Sequence, residues 1–110
     1  MQNPGYENIT PRELKRRIDA EDAPVLLDVR EVWEYEMARI EGSKLIPMGE
    51  MADRVSELDP AAETVVICHH GLRSAYMTQA LERAGFQNVI NLEGGLDAYS
   101  AVDSSVPRYY

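Results

Sequence analysis

Reactive side chains gather between residues 68 and 74, where Cys-His-His-Gly-Leu-Arg-Ser holds the chain's only cysteine and both of its histidines. A cysteine attacks as its thiolate, which forms where cations or unpaired backbone N–H groups stand close. Cys68 ends the β-branched run Val65-Val66-Ile67, which reads as a strand buried on both faces. From Ser74 onward Met77, Ala80, Leu81 and Ala84 recur at the spacing of one helical face, and Gly85-Phe86 suits a left-handed C-terminal cap. Cys68 therefore faces the N-terminus of a helix beginning near Ser74, where the partial positive charge stabilises an anion. Thr64 to Leu81 is also the longest stretch without a carboxylate, although 19 acidic residues among 110 would place about three in such a window.

The other members of this cluster have less certain chemistry from spacing alone. His69 and His70 read as rim residues able to tune a donor or acceptor near neutral pH. Adjacent on a tight loop, they point in different directions, and no fourth ligand stands out, so no metal is expected. Arg73 is either an anion ligand or a structural partner for Asp28 or Glu93.

The elements that position this loop follow from length and pattern. A chain of 110 residues makes one domain and buries roughly two-thirds of its unfolded surface. Its net charge of −8 argues against nucleic acid and anionic membrane as partners. One cysteine excludes an internal disulfide. No apolar stretch approaches the roughly 20 residues of a membrane span, and MQNPGYENI lacks the basic and apolar regions of a signal peptide. A cytoplasmic location is the expectation.

Ile9, Thr10, Pro11, Glu13 and Leu14 spell a helix start with capping box and hydrophobic staple. Val25 to Val29 reads as a buried strand in which Asp28 needs a partner or the strand's end, and Arg30 follows it directly as scaffold. A short helix over Glu31 to Ile40 would turn Trp33, Met37 and Ile40 inward, with Gly42 closing it. Lys44 to Ile46 forms a brief strand, Met48 to Leu58 a helical stripe, Asn88 to Leu92 a further strand, and Leu96 to Ala101 a last short helix. Residues 102–110 show no period and lie over the surface or fray. Strands alternating with helices predict an α/β fold, a single domain with a mostly parallel central sheet and helices on both faces, its core about residues 6–101. Ligands of such sheets bind beyond the carboxyl ends of the strands, so Asp28 to Arg30, Cys68 to Arg73 and Glu93 to Gly95 should share one rim.

Three blocks in this order resemble a known family. LLDVRE at Leu26 to Glu31 with Glu34, Tyr35 and RIEGS at Arg39 to Ser43, then VVICHHGLRS, then GFQNVINLEGGLDAY at Gly85 to Tyr99, are similar to the single-domain rhodaneses of the rhodanese-like sulfurtransferase superfamily. The resemblance implies that Cys68 carries sulfur as a persulfide. It implies a small donor such as thiosulfate or another persulfide, and a thiophilic acceptor such as cyanide or a protein thiol. It also implies that backbone N–H groups of His69, His70, Gly71, Leu72, Arg73 and Ser74 cradle the anion, with no cofactor required. Gly71 would let the backbone curl around the sulfur. The chain departs from the common pattern at His69, where Arg is frequent, and at Arg39, where His is frequent.

Two rivals remain at this level. A related cysteine phosphatase or arsenate reductase also cradles an anion above a cysteine. Such enzymes place five residues between Cys and Arg, against four between Cys68 and Arg73. A non-catalytic rhodanese-like binding module is the other, although those modules often lack the cysteine.

Overall fold

The computed structural model describes residues 6–108. Residues 1–5, read above for a leader, and residues 109 and 110 of the tail lie outside the described residues. Five strands, β1 (Glu7–Ile9), β2 (Val25–Asp28), β3 (Lys44–Leu45), β4 (Thr64–Ile67) and β5 (Val89–Leu92), form one sheet in the order β1-β5-β4-β2-β3. Every neighbouring pair is parallel, which sharpens the expectation of a mostly parallel sheet. Between the strands run α1 (Pro11–Asp19), α2 (Val32–Met37), α3 (Met51–Arg54) and α4 (Leu72–Arg83), and α5 (Gly95–Tyr99) follows β5. Two short 3₁₀ turns, Met48–Glu50 and Val55–Glu57, flank α3, so the stripe from Met48 to Leu58 is a broken helix.

Side chains alternate across the sheet as a strand requires. Val65 and Ile67 of β4 enter a core with Leu26, Ile90, Leu14 of α1 and Leu96 and Tyr99 of α5. Val66 and Cys68 enter the opposite core with Leu27, Val29, Met51 of α3 and Met77 and Leu81 of α4. Helices thus cover both faces, and the alternation aims Cys68 at α4.

Local signals account for most element boundaries. Thr10 Oγ1 accepts from the Glu13 N–H at 3.2 Å, an N-cap worth about 1 kcal/mol. The Glu13 carboxylate turns instead to Arg16. At the other end of α4, the Phe86 N–H reaches the Leu81 carbonyl at 3.0 Å over Gly85, which sits at φ +101°, the cap that Gly85-Phe86 predicts.

Three expectations need correction. β1 is a strand that sequence periodicity did not flag, since only Ile9 of its three residues is buried. α4 begins at Leu72, two residues before Ser74, and its buried stripe is Ser74, Met77, Thr78 and Leu81, while Ala84 is exposed. α2 turns its predicted apolar face outward: Trp33 is 56% exposed and Met37 55%, while Glu34 is buried. Its helical turn ends at Met37, and of Trp33, Met37 and Ile40 only Ile40, beyond it, reaches the core, where Ala38 joins it. The tail, expected to lie over the surface or to fray, does the first in its described part, with Val106 buried and Arg108 paired to Asp97 at 2.8 Å.

Candidate active site

The predicted rim exists. Cys68 follows β4, Asp28 ends β2 with Arg30 just beyond it, and the turn 93–94 follows β5, all at the carboxyl edge of the parallel sheet. Cys68 is 1% exposed and forms the floor of a depression of about 270 Å³ lined by His69, His70, Leu72 and Arg73.

The loop above β4 is shaped by two glycine contacts. Gly71, at φ +96°, precedes α4 in a left-handed conformation that other residues adopt only at a cost. A Cβ there would stand 3.2 Å from the Gly94 nitrogen. Gly95, at φ +67°, lies so close beneath the loop that a Cβ would come within 2.4 Å of the His69 carbonyl oxygen. That proximity lets the first turn of α5 spend its unpaired donors on the loop. The Leu96 N–H donates to the Cys68 carbonyl at 2.8 Å and the Asp97 N–H to the His69 carbonyl at 3.0 Å.

Around the sulfur the loop is polar at close range. The Gly71 N–H donates to Cys68 Sγ at 3.0 Å, and Ser74 Oγ lies 3.3 Å from it. Gly71 thus supplies a backbone donor in contact with Sγ. Further N–H groups of the loop would matter to an atom seated beyond the sulfur. Ser74, the third residue of α4, is completely buried and donates to Asn91 Oδ1 at 2.5 Å.

Arg73 finds neither partner named above. It forms a two-pronged pair with Glu34 of α2, 2.7 Å from Nη1 to Oε1 and 2.8 Å from Nη2 to Oε2. Glu34 Oε1 also accepts the Glu31 N–H at 2.9 Å and so starts α2 as well as fastening it to α4. This explains the inverted face of α2: the side chain that must go inside is the one that holds Arg73. Glu34 was visible in the sequence only as half of a Glu-Tyr pair, with nothing local to link it to a residue 39 positions away.

Asp28 and Arg30 pair with each other. Both are fully buried, with Arg30 Nε 2.9 Å from Asp28 Oδ1 and Nη2 2.8 Å from Oδ2, while Nη2 also reaches the Ala38 carbonyl at 2.6 Å. The pair closes the end of β2 and holds the exit of α2, one strand away from the sulfur.

The histidines part company. His70 stays on the rim, its Nε2 3.8 Å from Asp97 Oδ2. His69 is buried beside Leu96, Asp97, Ser100 and Pro107, not solvated as a rim residue would be. Burial pushes its imidazole below the ordinary value, and His70 adds to the effect. The two rings converge, contrary to the expectation that they diverge, and with Asp97 their ligand atoms lie within 4.8 Å of one another. Asp97 is also engaged by Arg108 at 2.8 Å.

This framework matches a family. The model of the rhodanese-like domain covers residues 10–102. The chain belongs to the rhodanese-like family. Among relatives of this rhodanese-like domain, YrkF of Bacillus subtilis, named as a candidate sulfur carrier protein, is 39% identical over 88 residues, 80% of this chain and 48% of its own. YtwF of the same organism, named as a candidate sulfurtransferase, is 36% identical over 84% of this chain and 89% of its own. The chain thus spans about half of YrkF and most of YtwF. The crystal structure of a rhodanese-like domain protein from Staphylococcus aureus superimposes with a TM-score of 0.83 at 30% identity, covering 94% of this chain and 99% of that one. No helix among the described residues is long and apolar enough to cross a membrane.

Proposed function

We propose that this chain is a sulfurtransferase that carries a sulfane sulfur on Cys68 as a persulfide. The observation that carries the reading is the placing of Sγ at the floor of an open depression, 3.0 Å from the Gly71 N–H and 3.3 Å from Ser74 Oγ. With thiosulfate as donor, the Cys68 thiolate attacks the outer sulfur, the donor's S–S bond breaks, and sulfite leaves with the bonding pair. The acceptor, cyanide or a thiolate, then attacks the outer sulfur of the persulfide, and Cys68 leaves as thiolate. Fixed dipoles favour the anion at each stage, so no cofactor enters the cycle.

A protein thiol as acceptor is supported by relatives named for sulfur carriage and transfer. It is also supported by the apolar side chains around the depression: Leu72, on its rim, is 80% exposed and Tyr76, one helical turn on, 62%. The phosphatase rival is disfavoured by the loop, which has four residues between Cys68 and Arg73 and has Arg73 engaged with Glu34.

The test is mass spectrometry after exposure to a panel of donors, with transfer kinetics measured beside hydrolysis of aryl phosphates. The expected result is an added sulfur atom on Cys68, removable by cyanide, and negligible hydrolysis. Cys68→Ser should fold normally and transfer nothing. Phosphate hydrolysis that depends on Cys68, with no sulfur added by any donor, overturns the reading.

A further inference from the structure

One buried polar residue has no part in the cycle above. Asn91 stands between Ile90 and Leu92 in β5, 4% exposed, on the sheet face shared with Cys68 and α4. Its Oδ1 accepts from Ser74 Oγ at 2.5 Å, and its Nδ2 donates at 2.9 Å to Oδ1 of Asn8, its register partner in β1. Ser74 Oγ is in turn 3.3 Å from Cys68 Sγ.

A serine hydroxyl has one proton to give. With that proton committed to Asn91, Ser74 can meet Cys68 only as acceptor of the S–H of a neutral thiol. Once the thiol gives its proton to water, this polarity is wrong. If Ser74 swung its proton to the sulfur, Oγ and Asn91 Oδ1 would face each other across 2.5 Å with nothing between them. A half-turn of the Asn91 amide removes the conflict by exchanging acceptor for donor at almost no change in shape. Nδ2 then donates to Ser74 Oγ, and Oγ donates to the sulfur anion. The far end follows, because Asn8 is exposed on the edge strand and can turn its own amide to match.

We propose that Ser74, Asn91 and Asn8 form a reversible hydrogen-bond chain whose direction follows the charge on the Cys68 sulfur, with Asn91 as the positioning residue. In one setting Ser74 serves the thiol, in the other the thiolate or the persulfide anion. The persulfide setting rests on the function proposed above, whereas the thiol and thiolate settings can be tested on the resting protein. Other charged or titratable groups facing the sulfur are few. His69, His70 and Arg73 line the depression, Arg73 balanced by Glu34; Asp28 at the end of the adjoining β2 is paired with Arg30; and the buried stripe of α4 contributes none.

A carboxylate only accepts hydrogen bonds. Asn91→Asp should therefore hold the Ser74 proton permanently, and Asn8→Asp should hold Asn91 Nδ2 outward with the same effect on Ser74. Alkylation of Cys68 by iodoacetamide at pH 7 should slow by about tenfold or more in Asn91→Asp, the worth of a lost hydrogen bond to a charged acceptor. It should slow by about threefold in Asn8→Asp, whose added charge is exposed and screened. In a Ser74→Ala background both effects should vanish, because the chain passes through Ser74 Oγ. If Asn91→Asp slows alkylation equally with and without Ser74, the carboxylate acts merely as a nearby charge and the proposal fails. An unchanged rate in Asn8→Asp also overturns it, and that variant avoids any loss of folding from a buried charge. By NMR, the side-chain amide resonances of Asn91 should move when the Cys68 thiol is titrated, and stay still in Ser74→Ala; immobility in the unmodified protein overturns the proposal. Failure to load a persulfide would count against the function, while the alkylation and titration results would still decide the chain.

Discussion

Gly95→Ala tests the idea that α5 sets the position of the reactive loop. The added Cβ would stand 2.4 Å from the His69 carbonyl oxygen, 2.5 Å from its carbon and 2.6 Å from the Cys68 carbonyl oxygen. Ordinary contact begins at 3.4 Å, so the loop must lift by about 1 Å, and the obstacles are backbone atoms that no rotamer change can clear. The left-handed φ of +67° costs roughly 1–2 kcal/mol for alanine. Straining the hydrogen bonds from Leu96 and Asp97 to the loop adds about 1 kcal/mol each. The expected loss is about 3–4 kcal/mol. Gly42→Ala supplies the control: its φ is +87°, but nothing lies within 4 Å of the added carbon, so only the backbone cost of roughly 1–2 kcal/mol applies. Thermal unfolding should separate the two variants by about 10 °C. Sulfur transfer by Gly95→Ala at a temperature where it remains folded should fall about a hundredfold, as about 1 Å of misplacement commonly costs. Equal stability losses in the two variants, or full transfer in Gly95→Ala, would refute the steric account.

Asp28→Asn keeps the shape of a fully buried side chain but strips the charge that balances Arg30, so a loss of about 3–5 kcal/mol in urea unfolding is expected. Glu34→Gln should lose less, about 1–2 kcal/mol by the same measurement, since Arg73 is 38% exposed and can take up water. It should also loosen α2 against α4, seen as faster amide exchange in residues 32–37. His69 gives a pH dependence. Burial holds its folded-state value below the 6.5 of the unfolded chain, so between the two the unfolded chain binds more protons and stability falls as the pH drops below about 6.5. Urea midpoints against pH should show this fall, and His69→Gln should flatten it.

Much of this molecule could be read from its sequence because local pattern and tertiary need agree. Val65 to Ile67 is buried on both faces in the centre of the sheet, and Thr10, Pro11 and Gly85 cap the helices they mark. The loop was legible because its cysteine, glycine and helix start are contiguous. Legibility ended where a side chain answers to a distant partner. Glu34 goes inside for the sake of Arg73, and Trp33 and Met37 are left outside, reversing the inference from apolar spacing. β1 is three residues long and becomes a strand only because β5 offers it an edge. Asn91 drew no reading of its own, since its partners, Asn8 and Ser74, lie 83 and 17 residues away.

The carbonyls of Cys68 and His69 are fastened by N–H groups of residues 96 and 97, which leave the ribosome well after the cysteine they organise. A chain interrupted between Cys68 and α5 has synthesised the cysteine without the means to arrange its loop. Synthesis at roughly 5–20 residues per second sets an interval of a second or more between the two events. The order of translation therefore means that the loop after β4 takes its shape only once all five strands of the sheet have been made.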